Sequence, residues 1–429
     1  MKVIRSADKG FEAALASITG RGQADTSAVE NSVKDIISGV RERGDRAVAE
    51  YTMLFDGVDL KGRFEVTARE INSAFKSLPK KEIELLELAA RRVEDYHRKQ
   101  LPASWSVTAP DGTVLGARVT AIERAAIYVP GGKAAYPSTA IMNAVPAKVA
   151  GVDDIVMATP PGAGGINPYV LAAAKIAGVD RVLRVGGAQA IAALAYGTRS
   201  IPKADKITGP GNIYVATAKR LVYGAVDIDM IAGPSEILVI NDGTGDARWI
   251  AADLLSQAEH DEMASSMLIT TSAGMAAKVR RSVDLLLKKL KRRSIARESV
   301  DRYGIIIVAR SIEEAAMISN RIAPEHLELF VEKPFELLGL IRNAGAIFLG
   351  TNTPEAIGDY IAGPNHTLPT GGAARFSSPL GTEDFVKRSS VICFSAQGMK
   401  TLGPGAGRLA RIEGLGAHAL SVDLRLGKN

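Results

Sequence analysis

The chain has 429 residues, more than one ordinary core accommodates, so two or more domains are expected. Hydrophobic residues make up 46% and charged residues 23%, the balance of a soluble globular protein. The net charge of +6 would suit nucleic acid, but the densest basic run, Lys278 to Arg293, carries Val279, Val283, Leu286, Leu287 and Leu290 at helical spacing and no interleaved aromatics, which makes it an ordinary amphipathic helix.

The N-terminus MKVIRSADKGFEA has no apolar core of a signal peptide. No run of about 18 apolar residues predicts a membrane span. The single cysteine, Cys393, cannot form an internal disulfide; in the apolar stretch SSVICFS it reads as a small core residue rather than a catalytic thiol, and a cytoplasmic location is expected.

Ser27-Ala-Val-Glu30 and Thr67-Ala-Arg-Glu70 have capping-box spacing ahead of apolar-periodic runs, and Lys80 to Gln100 reads as a long charged helix ending before Pro102. Val114 to Thr120 has strand character. From Ala125 to about Ile231, strands at 126–129, 154–157, 181–185 and 206–207 each meet a Gly-rich turn (PGGK, PPGAGG, GGAQ, TGPGN) and then an Ala-rich helix. Such repeats predict βαβ units and a parallel sheet with its turns at the carboxyl edge. A second α/β series has strands at 236–240, 267–270, 305–308 and 346–349. Aromatics at 5% and 42 glycines fit this class. From about Pro379 the chain changes character and predicts a tail-like module.

There are five histidines. His97, in RRVEDYHRK, reads as a surface residue. The other four lie in short polar motifs. Gln257 and His260, three apart near a helix end, share one face and can serve as two ligands, although a helix-end histidine capping carbonyls has the same spacing. Glu325 and His326 follow Pro324, so they start a helix or sit in a turn, and they form an acid/base pair suited to neutral pH. Asp359 and His366 flank a Gly-Pro turn, and Glu413 and His418 lie in the tail. Imidazoles with carboxylate and amide oxygens, and no thiolate, suit Zn²⁺, Mn²⁺ or Co²⁺.

At these motifs the chain resembles the histidinol dehydrogenase family. The segments, in family order, are YVPGGKAAYPST, VGGAQAIAALAYGT, ITGPGN, AGPSE, SQAEHD, NRIAPEHLEL, GDYIAGPNHTLPTGGAARF and EGLGAHA, spanning about Tyr128 to Ala419. The resemblance implies oxidation of L-histidinol to L-histidine through L-histidinal with two NAD⁺ reduced, the last step of histidine biosynthesis. It implies one Zn²⁺ per subunit on Gln257, His260, Asp359 and His418. It casts His326 as general base and Glu325 as the group that activates water. It places Ser235, His366 and Glu413, together with Gln257, His260, His326, Asp359 and His418, at the substrate, and Tyr128, Gln189 and Asn212 at NAD. No G-x-G-x-x-G fingerprint is present, so the cofactor assignment needs the resemblance. Many members read SGTNH where this chain reads AGPNH; Pro364 stiffens that loop, and no catalytic or ligand residue is missing.

The resemblance also implies a homodimer in which the C-terminal tail completes the partner's site. The expected architecture is therefore α/β, with two Rossmann-like parallel-sheet domains, small N- and C-terminal modules and swapped tails. The divisions are a 1–25 segment, 26–127 with 237–378 carrying zinc and catalytic residues, 128–236 on the NAD side, and 379–429 reaching the partner. Two other readings remain: a sister zinc/NAD dehydrogenase of another small alcohol such as a sulfonated diol, and a zinc hydrolase without nicotinamide.

Overall fold

The computed structural model describes residues 1–20, 27–131, 135–162, 164–231 and 233–428. The end of the 1–25 segment, part of the PGGK turn, Ala163 of PPGAGG and Ala232 of AGPSE lie outside them. In chain order the strands are β1 (Lys2–Arg5), β2 (Trp105–Thr108), β3 (Val114–Ala121), β4 (Arg124–Tyr128), β5 (Asp154–Ala158), β6 (Arg181–Leu183) and β7 (Lys206–Thr208). They continue as β8 (Asp227–Ile228), β9 (Glu236–Asn241), β10 (Ser265–Thr270), β11 (Ile305–Val308), β12 (His326–Phe330), β13 (Ala346–Leu349) and β14 (Val386–Cys393).

The chain divides into two compact units, residues 1–100 with 123–385, and residues 101–122 with 386–429. The first holds two parallel sheets, as the two α/β series predict. The larger runs β1-β11-β10-β9-β12-β13 and the smaller β6-β5-β4-β7-β8. Their strands are near-continuous apolar runs because helices cover both faces. On the larger sheet, Leu238, Ile240, Met267 and Ile269 bury one face and Ile237, Val239 and Leu268 the other.

The capping box at Thr67 is formed, its hydroxyl accepting from Glu70 N at 3.2 Å and Glu70 Oε2 accepting from Thr67 N at 2.8 Å. The helices Ser27–Arg43 and Asp45–Asp56 bury Val33, Ile36, Val40 and Val48 against Ala126, Tyr128, Val156 and Ala158. They therefore pack on the smaller sheet rather than grouping with residues 237–378. Helical periodicity specifies that a face is buried, not which sheet receives it.

Three further expectations are corrected. His97 is buried, not on the surface: its Nδ1 lies 2.7 Å from Val93 O, and burial holds its pKa below the ordinary range. Glu325 lies at a bend, as expected of a turn, but His326 neither starts a helix nor sits in that turn. Ala323 takes a left-handed φ of 54°, which ends the helix Ile312–Ile322, and His326 opens β12, bonded between β9 and β13. Cys393 is exposed at the end of β14.

The second unit is a three-stranded antiparallel sheet, β14-β3-β2, with helices Ala396–Ile412 and Gly416–Arg425. The tail is thus a structured module, joined by the strand predicted at Val114–Thr120. It leaves Ile392, Leu409 and Ile412 at 67%, 63% and 73% exposure. Among the described residues no helix is long and apolar enough to cross a membrane.

Candidate active site

In the larger sheet the chain leaves β9 toward β10 and β11 on one side and returns to β12 and β13 on the other, so the strand order reverses between β9 and β12. The predicted site residues gather at the amino ends of these two strands. Ser235 precedes β9, and its carbonyl accepts from Ser265 N at 2.9 Å. His326 is the first residue of β12. Gln257 ends the helix Ala247–Ala258, which runs back from the far edge, and His260 lies in the turn beyond it, its N–H donating to Gln257 O at 3.1 Å. The shared helical face expected for this pair is thus a helix end plus one turn, with the same outcome of placing both residues at one edge.

His326 is the most crowded group. It is buried, 3.7 Å from Glu325 Oε2 and Glu355 Oε1 through Nδ1, and 3.6 Å from Asp359 Oδ1 through Nε2. Its Nδ1 lies 3.1 Å from Glu236 O. A carbonyl only accepts, so Nδ1 carries the proton, and in the neutral ring Nε2 presents a bare lone pair. Nε2 has no hydrogen-bond partner here, and an unpartnered buried polar atom in a site calls for a ligand. Burial opposes charge on this imidazole, but the carboxylates Glu355, Glu325 and Asp359 outweigh it and hold the pKa well above the ordinary value. Glu325 accepts from Glu236 N at 2.8 Å, and burial pushes its carboxyl up to about 7. A carboxyl poised there exchanges protons at neutral pH.

Beside the pair, His260, Glu355 and Asp359 bring one donor atom each within 4.8 Å of one another. Gln257 is buried, and with its amide nitrogen turned to Glu355 it donates to Oε1 at 2.7 Å and lies 3.2 Å from His326 Nδ1, which leaves its oxygen lone pairs able to ligate. Burial lowers the pKa of His260, against the opposing pull of Asp359, so this imidazole is neutral and able to ligate. His366 Nδ1 lies 3.0 Å from Asp359 O, which brings the two residues flanking the Gly-Pro turn together. Glu355 was missed from the sequence. Its four-residue spacing from Asp359 was the available signal. Burial pushes it up to about 8, and its N–H donates to buried Glu328 Oε1 at 2.8 Å.

The loop bearing His366 is pinned to the helix after β4. Asn365 Nδ2 donates to Met142 O at 2.6 Å and Asn143 Nδ2 to Thr367 Oγ1 at 3.2 Å. In the smaller sheet the order reverses between β4 and β7, and at the carboxyl edge beyond that point ligands of open α/β sheets bind. Tyr128 ends β4 there, its hydroxyl accepting from Gly187 N at 3.1 Å. Gln189 is buried with both amide atoms unpartnered. Asn212, which is exposed, caps the helix Ile213–Val222, its Oδ1 accepting from Tyr214 N and Val215 N. The remaining two predicted residues, Glu413 and His418, stand exposed in the second unit.

Fold and site together define an α/β protein with two parallel sheets and a buried glutamate–histidine pair set beside nitrogen and oxygen donors. A family model described as histidinol dehydrogenase matches residues 19–426. The chain belongs to the histidinol dehydrogenase family, a family of oxidoreductases. A histidinol dehydrogenase of Geobacter metallireducens is 58% identical over 428 residues, covering 99% of this chain and 98% of that one. One of Syntrophotalea carbinolica is 56% identical over 427 residues, 99% of each. Among solved structures, a histidinol dehydrogenase from Elizabethkingia anophelis matches with a TM-score of 0.94 at 36% identity, covering 100% of this chain and 98% of that one.

Proposed function

We propose that the chain oxidises L-histidinol to L-histidine through L-histidinal, with NAD⁺ as oxidant, as the last step of histidine biosynthesis in the cytoplasm. The observation that carries the chemistry is His326, its Nδ1 fixed by Glu236 O, its Nε2 without a partner, and Glu325 alongside. In the first oxidation Nε2 accepts the hydroxyl proton of the alcohol as the carbon loses hydride, and the aldehyde results. In the second, Glu325 takes a proton from the water that adds to the aldehyde while protonated His326 returns its proton to the aldehyde oxygen, which gives the hydrate and a bare Nε2 again. His326 then accepts the hydroxyl proton of the hydrate as the second hydride leaves, giving the carboxylic acid. NAD⁺ supplies the hydride acceptor.

The donor set fits a zinc ion. His260 and Asp359 lie with Glu355 inside a cluster whose donor atoms are within 4.8 Å of one another, and Gln257 turns its amide nitrogen to Glu355. Gln257, His260 and Asp359 would hold the ion from one chain, with His418 from a second copy. Such an ion supplies a fixed positive centre that orients the imidazole and amine of the substrate. Glu355 belongs behind Gln257 as the acceptor that fixes its amide. Ser235, His366 and Glu413 are assigned to the substrate's polar groups, and Tyr128, Gln189 and Asn212 to the dinucleotide, a reading supported by the two unpartnered amide atoms of buried Gln189.

The test is NADH formation, followed by absorbance, on mixing protein, NAD⁺ and histidinol, with product identified by mass. Two NADH per histidine are expected. NADH from another small alcohol but not from histidinol would move the chain to a sister activity, and none from any alcohol would remove the dehydrogenase reading.

The proposed sharing of sites rests on Glu413 and His418, exposed in a module that also exposes Ile392, Leu409 and Ile412. Two copies exchanging identical tails satisfy both sites at once. Mixing inactive His326→Ala with inactive His418→Ala and allowing subunit exchange should restore activity to about a quarter of wild type, because about half the dimers carry one intact site. If mass spectrometry verifies exchange and activity stays at background, His418 serves its own subunit.

A further inference from the structure

We propose that the buried ion pair Lys219–Asp229 is a positioning device for the dinucleotide, which sets the loop Gly209–Asn212 before NAD⁺ arrives. The proposal rests on the cofactor reading of the smaller sheet's carboxyl edge. Lys219, on the helix Ile213–Val222, and Asp229, just past β8, are 2% and 1% exposed at their side chains and bonded to each other. A pair so far from water loses hydration that its mutual attraction returns only in part, so an apolar pair of similar size would hold the core as well. The gain lies in where the remaining hydrogen bonds go.

Both backbone polar groups of one residue are taken. Lys219 Nζ donates to Gly209 O at 2.9 Å, and Asp229 Oδ2 accepts from Gly209 N at 2.7 Å. Asp229 Oδ1 also accepts from Met230 N at 2.6 Å, which locks the carboxylate. Gly209 has φ +107°, and a Cβ there would lie 2.2 Å from Tyr128 O, so its backbone is pressed onto the end of β4. Gly211 is seated as closely, since a Cβ on it would meet Val215 Cγ1 at 2.3 Å. Asn212 then caps the helix. Tyr128, in turn, receives Gly187 N through its hydroxyl. One ion pair thus fixes the turn after β7 against the end of β4, and through Tyr128 the turn after β6, at the point where the strand order reverses. A loop held in its bound conformation beforehand spares the ligand the cost of ordering it.

The experiment titrates NADH by fluorescence into wild-type protein and a Lys219→Met/Asp229→Leu double variant, which removes both charges so that neither is left buried alone. The expected result is a dissociation constant raised about tenfold, a matching rise in KM for NAD⁺ with a smaller change in kcat, and unchanged metal content and histidinol binding. A folded double variant with wild-type NADH affinity overturns the proposal alone. Absence of NADH binding by the wild type overturns the cofactor reading and the proposal with it. Should the double variant not fold, amide exchange on wild-type protein decides. Gly209 N–H is expected to be protected without ligand and little changed by NADH, and exchange at an open-loop rate until NADH is added overturns the proposal.

Discussion

Stripping the metal from this protein should reduce histidinol oxidation to background, and zinc should return it. The expectation follows from charge. His326 lies within 3.7 Å of Glu325 and Glu355 and 3.6 Å from Asp359. With no cation present, Glu355, Glu325 and Asp359 outweigh burial and draw the pKa of the imidazole well above its ordinary value, which favours a protonated Nε2 that accepts nothing. A cation on His260 and Asp359 takes up the charge of Asp359 and repels the imidazolium, so the bare lone pair becomes the resting form. Substrate would lose its anchor at the same time. A metal ion contributes several kcal/mol of charge stabilisation, so the loss is on the order of 10³ in rate or more. The measurement is chelation, desalting, elemental analysis and assay, then titration with zinc. Full turnover by protein shown to be metal-free would sink the metal assignment.

The parallel-sheet architecture was legible because it is written in local patterns. The strands read at 305–308 and 346–349 are observed with those bounds, and those read at 154–157 and 206–207 are one residue longer. What failed needed non-local information. HLELF looks like a helix start or a turn after Pro324, and only its pairing between β9 and β13 makes it a strand. The helices of residues 27–56 announced a buried face but not the sheet beneath it. His97 sits in a charged run, yet the fold covers it. Cys393 lies in an apolar run that folding leaves exposed on β14.

The site shows the same division. His260, His326, Asp359 and His366 were named because each stands in a polar motif, and chain folding brings them to one edge of the larger sheet. Glu355 escaped because a glutamate after Thr-Pro resembles an ordinary helix start; its importance comes from burial and from the amide of Gln257. The tail residues Glu413 and His418 stood out as a carboxylate and a histidine in one short motif, their roles came from the resemblance, and the subunit-exchange test decides them.

The two chemical steps should separate by mutation at adjacent residues. On the proposed assignment of His326 as the base of both oxidations, His326→Ala should lower oxidation of histidinol and of histidinal each by on the order of 10² to 10⁴. Glu325→Gln is different. It keeps size and an acceptor for Glu236 N, now 2.8 Å from Glu325 Oε2, but cannot take a proton. Hydride removal from histidinol uses no water and should fall little, whereas oxidation of histidinal requires a water made nucleophilic at neutral pH. The carboxyl is suited to that task because burial lifts it to about 7, where it is partly ionised and basic enough to hold the proton it takes. The variant should therefore convert histidinol and release or accumulate histidinal, with NADH per histidine no longer the informative ratio and trapped aldehyde the direct readout. Supplying histidinal to each variant and measuring single-turnover NADH formation isolates the second step; histidinol with an aldehyde trap isolates the first. Equal losses in both half-reactions for Glu325→Gln would refute the division, and would show that Glu325 acts by holding the β9 edge and His326 in place rather than by activating water.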